Sequence, residues 1–377
     1  MVFINNPQPT GVKKYAGLDH LRAWAITIVF FFHYRLFDHP EWINNVGNFG
    51  WTGVDLFFVL SGFLIASQLF EAISNGKQVQ LKEFYIKRFF RIIPVYLFIL
   101  VLYFTVPAFK EREGLSPLWK YLTFTQNFGL DLSKTHAFTH AWSLCIEEQF
   151  YLLLPFILWS AIRFKLLKVA AYLLPALFLL GITVRVFSWQ HFITPLQGTE
   201  NFGATWYQYI YYPTYCRLDG LLTGIGIAAL FKYQPVIKTA LTRHPNLVLT
   251  AGLALITTAY FICVDQQSFI ASVWGFPLIA VAYGFMVMAA VSPTSLPGKY
   301  RSKVTEVIAT LSYAIYLSHK AVIHLTQTIF TGFNIPSNST IMFVLCAINC
   351  MLAAYLLHVA IEKPFLHIRN RILQHRI

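Results

Sequence analysis

Ten apolar runs, each close to the length that crosses a bilayer, divide this chain near residues 18–37, 53–73, 92–109, 141–162, 166–187, 209–231, 246–263, 270–291, 305–330 and 338–361. A stretch of about 20 predominantly apolar residues reads as a transmembrane helix. Composition agrees, with 56% of residues hydrophobic and only 12% charged. A β-barrel fits poorly, because the runs lack its alternation and exceed the length of its strands. The expected fold is therefore all-α: a polytopic transmembrane helical bundle of about ten spans. Neither a low-complexity linker nor a soluble domain of useful size interrupts it, so residues 1–377 read as one integral membrane domain with its core at about 15–365 and short tails.

Orientation follows from where lysine and arginine fall between the runs. Lys13 and Lys14, then Lys77, Lys82, Lys87, Arg88 and Arg91, then Arg163, Lys165 and Lys168 occupy alternate connections. Lys232, Lys238 and Arg243, then Lys299, Arg301 and Lys303, and finally Lys363, Arg369, Arg371 and Arg376 continue the series. The opposite connections carry only Lys110, Arg112, Lys120 and Lys134, with Arg35 at a boundary. Both termini are thus expected in the cytoplasm. The net charge of +13 becomes a cytoplasmic skirt against anionic lipid, and no nucleic-acid partner is needed to explain it. The first run is expected to remain as a signal anchor, since no small-residue processing site follows it. The five cysteines show no metal-ligand spacing, so neither a zinc site nor a disulfide framework is expected.

Polar residues inside the runs are the unusual feature, because an ionisable group at membrane depth is costly enough to be a functional candidate. The first run holds Arg22 and His33, eleven positions apart. At about 100° per residue they share one helix face, separated by about 16 Å along the axis. That is too far for a hydrogen bond, so the face is expected to serve two depths of one cavity. Asp55 opens the second run, Glu147 and Glu148 lie one to two turns into the fourth, Arg217 and Asp219 sit in the sixth, and Tyr316 and His319 in the ninth. Buried charges need partners, so one shared polar cavity is expected. Arg217 should pair with Asp219 or with a carboxylate of a neighbouring helix.

Each of these has a plainer structural reading. His33 alone can be an interhelical hydrogen-bonding histidine, Asp55 a helix N-cap, and Arg217 with Asp219 a lock between helices. Ser61, Ser143 and Cys145 read as small residues that let helices approach. The outer connections are more than tethers. The stretch 110–140 combines Glu111, Pro117 and Trp119 with TFTQNF and THAFTHAW and should fold over the bundle mouth. The segment 188–208, with Trp189, His191, Glu200, Asn201 and Trp206, has the mixture of polar and aromatic groups that suits a carbohydrate. An interfacial aromatic belt is the alternative.

Seven blocks in order decide between these readings: LDHLRAWAITIVFFFH, GVDLFFVLSGFLI, KRFFRIIPVY, AWSLCIEEQFYLLLP, CRLDGLLTGIGIA, LSYAIYLSHKAVI and EKPF. Together they resemble the acyltransferase-3 family of integral membrane acyltransferases, which includes bacterial O-antigen and Nod-factor O-acetylases. The likeness runs from about Tyr15 to Phe365. The chain ends soon after the last run, so the esterase-like extracytoplasmic domain of some members is not expected, and the membrane domain should act alone or pass its acyl group to another protein.

The resemblance implies transfer of an acyl group, usually acetyl, from a cytoplasmic coenzyme A thioester to a hydroxyl on the outer side. The acceptor would be a cell-surface carbohydrate or glycolipid, the location the bacterial plasma membrane, and polysaccharide-assembly proteins possible partners. The acyl-CoA is a substrate, and no tightly bound cofactor is expected. Lys87, Arg88 and Arg91 would hold its phosphates at the cytoplasmic mouth, with Arg22 toward its pantetheine or pyrophosphate or holding the inner vestibule. His33 would be the base or acyl relay, oriented by Glu147 with Asp55 in reserve, while Arg217 or Tyr316 polarises the carbonyl. The competing reading is a proton-coupled transporter or a flippase-like component of polysaccharide assembly, which also needs intramembrane His, Arg, Asp and Glu. No convincing internal duplication supports it. If both termini are cytoplasmic, single cysteines placed in 110–140 should label from outside intact cells while one near residue 370 stays protected; the reverse pattern overturns the orientation.

Overall fold

The computed structural model describes residues 15–76 and 79–374, the side chains of residues 167 and 168 excepted. Lys13, Lys14, Lys77 and Arg376, counted in the charge pattern, lie outside the described residues, as does the side chain of Lys168. Among the described residues there is no strand, and ten helices of 15 residues or more occupy the ten apolar runs. They are α1 (Ala16–Tyr34), α2 (Gly53–Ser74), α3 (Leu81–Thr105), α4 (Trp142–Arg163), α5 (Leu167–Ser188), α6 (Asp219–Tyr233), α7 (Pro245–Ile262), α8 (Phe276–Ala290), α9 (Lys303–Thr331) and α10 (Thr340–Leu357). Large apolar side chains such as Leu152, Leu179, Phe261 and Ile348 face outward, whereas Asp55, Arg185, Arg217 and Asp219 are buried. That inversion belongs to a protein dissolved in lipid, and the chain is an integral membrane protein.

Among the described residues seven helices are long and apolar enough to cross a membrane, or eight if α6 and the helix Pro235–Arg243, bent from it by 105°, count as one span. Helices α1 and α9 fall below that apolarity because of their own polar residues, Asp19, His20, Arg22 and His33 on one and Glu306, His319 and Lys320 on the other. Those are the helices that build the polar centre described below.

Two boundaries differ from the sequence reading. Helix α3 begins at Leu81, not near residue 92, so Lys87, Arg88 and Arg91 are helical residues rather than part of a connection. Helix α6 begins only at Asp219, because Pro213 turns the chain and Thr214–Cys216 form a single 3-10 turn that leaves Arg217 just outside the helix.

Helices α2 and α6 pack backbone to backbone. A Cβ at Gly224 would overlap the carbonyl oxygen of Val59, and one at Gly62 that of Leu221. Gly220 and Gly224 thus form a small-residue stripe of the kind that lets membrane helices approach closely. The contact carries Asp55 of α2 up to the start of α6.

The 106–141 connection folds inward as expected. It contains the short helix Leu118–Leu122 and buries Tyr121, Gln126, Asn127 and Phe138. Phe138 adopts φ +53° and stacks on Tyr103 at 4.4 Å and Tyr121 at 5.7 Å. Glu111 reaches down to Lys320 of α9, Oε1 to Nζ 2.8 Å, with both side chains almost fully buried. Burial opposes ionisation of Glu111, but the Lys320 ammonium and the hydrogen bonds to the carboxylate together outweigh it and hold the carboxyl below its usual value. Glu111→Gln should therefore destabilise the protein by about 3–5 kcal/mol, since it leaves a buried cation unpaired. Thermal unfolding in detergent checks this, with Glu111→Gln/Lys320→Met expected to recover much of the loss; equal stability of the single variant and the parent would remove the pair from the fold's essentials.

Candidate active site

Helices α1 and α9 lie side by side, and His33 near the end of the first meets His319 in the middle of the second, Nδ1 to Nε2 at 2.9 Å. The direction of this bond can be derived. Nδ1 of His319 lies 3.0 Å from the carbonyl of Ile315 and 2.8 Å from that of Tyr316. Carbonyls only accept, so Nδ1 of His319 carries hydrogen, and the neutral ring then has its lone pair on Nε2. Nδ1 of His33 must donate to that lone pair, which leaves the lone pair of His33 on Nε2. Among the described residues no hydrogen bond engages that atom. Backbone carbonyls of α9 thus fix the tautomer of a ring on another helix, the arrangement that orients catalytic and metal-bound histidines.

A third imidazole completes the group. His140, in the 3-10 turn Thr139–Ala141, has its ring 5.2 Å from that of His319 and 5.9 Å from that of His33. Its Nε2 donates weakly to the Leu317 carbonyl at 3.4 Å, and its Nδ1 is buried without a partner. Exposure separates the three: His319 is 0% exposed, His140 2% and His33 9%, so His33 has the most open surface. Tyr316 donates to the His140 carbonyl and meets Ser143 Oγ at 2.6 Å, tying α9 to the start of α4. Among the described residues no group of three or more His, Cys, Asp or Glu has the geometry to hold a metal ion.

The second polar level lies toward the other end of α1. Arg22 is within electrostatic range of Arg88, Arg91 and Tyr151, and Glu147 of the same three arginines. Tyr151 donates to Glu147 at 3.0 Å and also meets Ser61, while the guanidinium of Arg88 lies 5.0 Å from the centre of the Tyr151 ring. Glu147 therefore belongs to this cationic cluster, and the expected contact with His33 is not made; the orienting partner of His33 is His319. Lys87 is exposed and pairs with Glu83 at 2.5 Å on the helix surface. The cluster has a net positive character at the end of the bundle where the basic connections gather, with Asp19 beside Arg22 at 3.5 Å as local compensation.

Asp55 and Arg217 form a third unit. Nη2 of Arg217 donates to both carboxylate oxygens of Asp55, at 2.9 and 3.0 Å. Its guanidinium also lies 4.0 Å from the Phe276 ring centre and 4.7 Å from that of Tyr211. Of the two expected partners for Arg217, the neighbouring helix's carboxylate is the one used. Asp219 instead holds Arg185 of α5 by two bonds of 2.6 and 3.1 Å. Both carboxylates are thus engaged in cross-helix ion pairs, and Asp55 makes no contact with His33.

Of the residues expected around one cavity, His33, His319 and Tyr316 meet, whereas Glu147, Asp55, Arg217 and Asp219 make their bonds elsewhere; Glu111 was read only as part of the outer stretch, and His140, Lys320 and Arg185 were not singled out. His140 stood in THAFTHAW immediately ahead of a recognised block, and Arg185 was a lone arginine in an apolar run, a signal of the same kind as Arg22.

Among characterised sequences the chain is similar to the O-acetyltransferase OatA of Staphylococcus aureus strain NCTC 8325 / PS 47, with 31% identity over 344 residues, or 85% of this chain and 52% of that protein. It is also similar to the putative O-acetyltransferase SACOL0978 of S. aureus strain COL, with 27% identity over 341 residues and the same shares. The chain spans about half the length of these relatives. No solved structure matches it. The sequence profile described as an acyltransferase domain matches residues 15–359, nearly the whole of the helical bundle and every polar group of this site, and the chain belongs to that acyltransferase family.

Proposed function

We propose that this protein is a membrane O-acetyltransferase of the bacterial plasma membrane. It takes an acetyl group from acetyl-CoA at the cytoplasmic end of the bundle and transfers it to a hydroxyl of a carbohydrate at the outer end. The observation that carries this reading is the fixed tautomer of His33, whose unshared lone pair sits on Nε2, the least enclosed of the three imidazoles. The O-acetyltransferase relatives and the family membership support the reaction class.

In the proposed reaction Nε2 of His33 takes the proton of the acceptor hydroxyl as its oxygen attacks the thioester carbonyl. The imidazolium that forms still donates through Nδ1 to His319, and the carbonyls of Ile315 and Tyr316 favour positive charge developing along the pair. Collapse of the tetrahedral intermediate breaks the carbon–sulfur bond, and the departing thiolate receives the proton from His33. Ester and free thiol leave, and the ring returns to its starting state. The same Nε2 is the atom that would carry the acetyl group in a two-step relay. Tyr316 and Arg217 are the candidates for stabilising the oxyanion, and Tyr316 is the one bonded into the histidine group.

Arg22, Arg88 and Arg91 would hold the phosphates of the donor, since guanidinium groups bind phosphate oxygens in pairs. Lys87 would serve at the rim. Glu147 and Tyr151 would then orient the arginines rather than the base.

Incubation of the purified protein with labelled acetyl-CoA and mixed envelope glycans tests the reaction: label is expected on glycan, whereas solute flux independent of donor would favour a carrier. His33→Ala should abolish transfer, a loss of at least about 100-fold, in membranes that still hold folded protein; substantial turnover excludes the role. His319→Ala should lower kcat by about 10–100-fold, the usual cost of removing an orienting partner, with KM for both substrates little changed. For the arginine cluster, Arg88→Gln/Arg91→Gln should raise the apparent KM for acetyl-CoA far more than that for the acceptor. An equal rise in both would make these residues topological anchors only.

A further inference from the structure

A cavity of about 350 Å³ opens at the outer end of the bundle, between the segment that follows α5 and the loop that joins α7 to α8. Its walls include three aromatic rings, Trp189, Phe202 and Phe269, and three polar side chains, Gln197, Asp265 and Gln267. Nothing in the proposed chemistry uses it. We propose that it is a remote acceptor subsite that binds one neutral sugar unit of a longer glycan while another unit presents its hydroxyl to His33. This rests on the carbohydrate acceptor of the proposed function.

Four observations carry the inference. The volume is at the lower end of the range for small-molecule pockets, about 300–1,000 Å³, so it suits a single ring rather than a long chain. The lining combines apolar rings with neutral amides, the combination that suits a pyranose, which has C–H faces to cover and hydroxyls that both donate and accept. The polar groups are available: Oδ1 of Asp265 accepts the backbone N–H of Gln267 at 3.0 Å, which fixes the loop, while the amides of Gln197 and Gln267 make no hydrogen bond within the described residues. No lysine or arginine lines the cavity, and its one charge is the carboxylate of Asp265. A uronate or a phosphorylated headgroup would be repelled there, whereas a neutral or N-acylated hexose would not.

Beneath the cavity an aromatic core extends toward the segment that carries His140. Phe202 and Trp206 belong to one short helix, Phe202–Trp206. The Trp206 ring lies 5.3 Å from Tyr211, and Tyr211 lies 4.9 Å from Trp142, two residues beyond His140. Trp206 is itself pinned by its indole N–H to Ser272 Oγ at 2.8 Å. Trp206, Tyr211 and Trp142 are themselves buried, so these rings brace the cavity floor from within, and the proposed glycan reaches the reacting centre over the outer surface.

The test is a binding measurement, independent of turnover. The full chain in nanodiscs is titrated with maltohexaose, chitohexaose and hexagalacturonate, read by saturation-transfer NMR. Saturable binding of at least one neutral hexasaccharide is expected, with hexagalacturonate at least tenfold weaker. Phe269→Ala and Asp265→Ala, both at exposed positions in the loop, should each weaken the neutral ligand several-fold, and the double variant at least tenfold. Binding of neither neutral oligomer, preference for the uronate, or unchanged affinity in the double variant overturns the subsite. His33→Ala should keep this binding although it removes transfer, so failure of the subsite and failure of the proposed chemistry are told apart.

Discussion

The cost of placing charge in a low-dielectric interior organises this structure. Three buried ion pairs, Asp55 with Arg217, Arg185 with Asp219, and Glu111 with Lys320, each join elements distant in sequence. Removing either member of such a pair strands the other in a medium that cannot solvate it. The pairs therefore restrict how α2, α5, α6, α9 and the 106–141 segment can be arranged far more sharply than apolar packing does, because lipid tails are as apolar as leucine and provide little preference between helix faces. Gly62 and Gly224 let the α2 and α6 backbones come close enough for the first of these pairs to form.

Within that frame the histidine group is held by neutral bonds. Its order comes from the peptide groups of α9, which fix His319, which fixes His33. Lys320, the residue after His319, belongs to the ion pair that holds the outer segment, and that segment also carries His140. The bond that orients His33 and the ion pair that anchors the 106–141 segment are consequently properties of the same turn of α9. The two polar levels on α1, one around Arg22 and one around His33, are the two that the proposed reaction assigns to donor and acceptor.

Much of this was legible in the residues. Bilayer-length runs gave the helices, and polar residues inside them, above all Arg22 and His33, marked the two depths at which polar groups gather. What could not be read was which polar groups meet. Glu147 and His33 share no local pattern that decides their distance, and only packing shows that Tyr151 and the arginines hold the carboxylate. His140 looked like loop because the 110–140 stretch is polar, although tertiary burial draws it into the core. Helix boundaries failed where chemistry and geometry compete: KRFFR is too basic to read as membrane helix yet continues α3, and Pro213 interrupts an apolar run that looked continuous.

The bend of 105° after α6 has a consequence for the lipid itself. At 15 residues α6 is only about 22 Å long, shorter than the roughly 30 Å hydrocarbon slab. The helix Pro235–Arg243 turns aside, with Val236 79% exposed and Lys238 and Arg243 on the same short segment, so it can float at the headgroup plane as a depth gauge. Arg217 and Asp219, at the far end of α6, are then suspended at a fixed distance from one leaflet instead of being centred between both. A thicker bilayer would submerge that end or be drawn thin around it, which makes membrane thickness a mechanical input to the ion pairs on which the bundle is built.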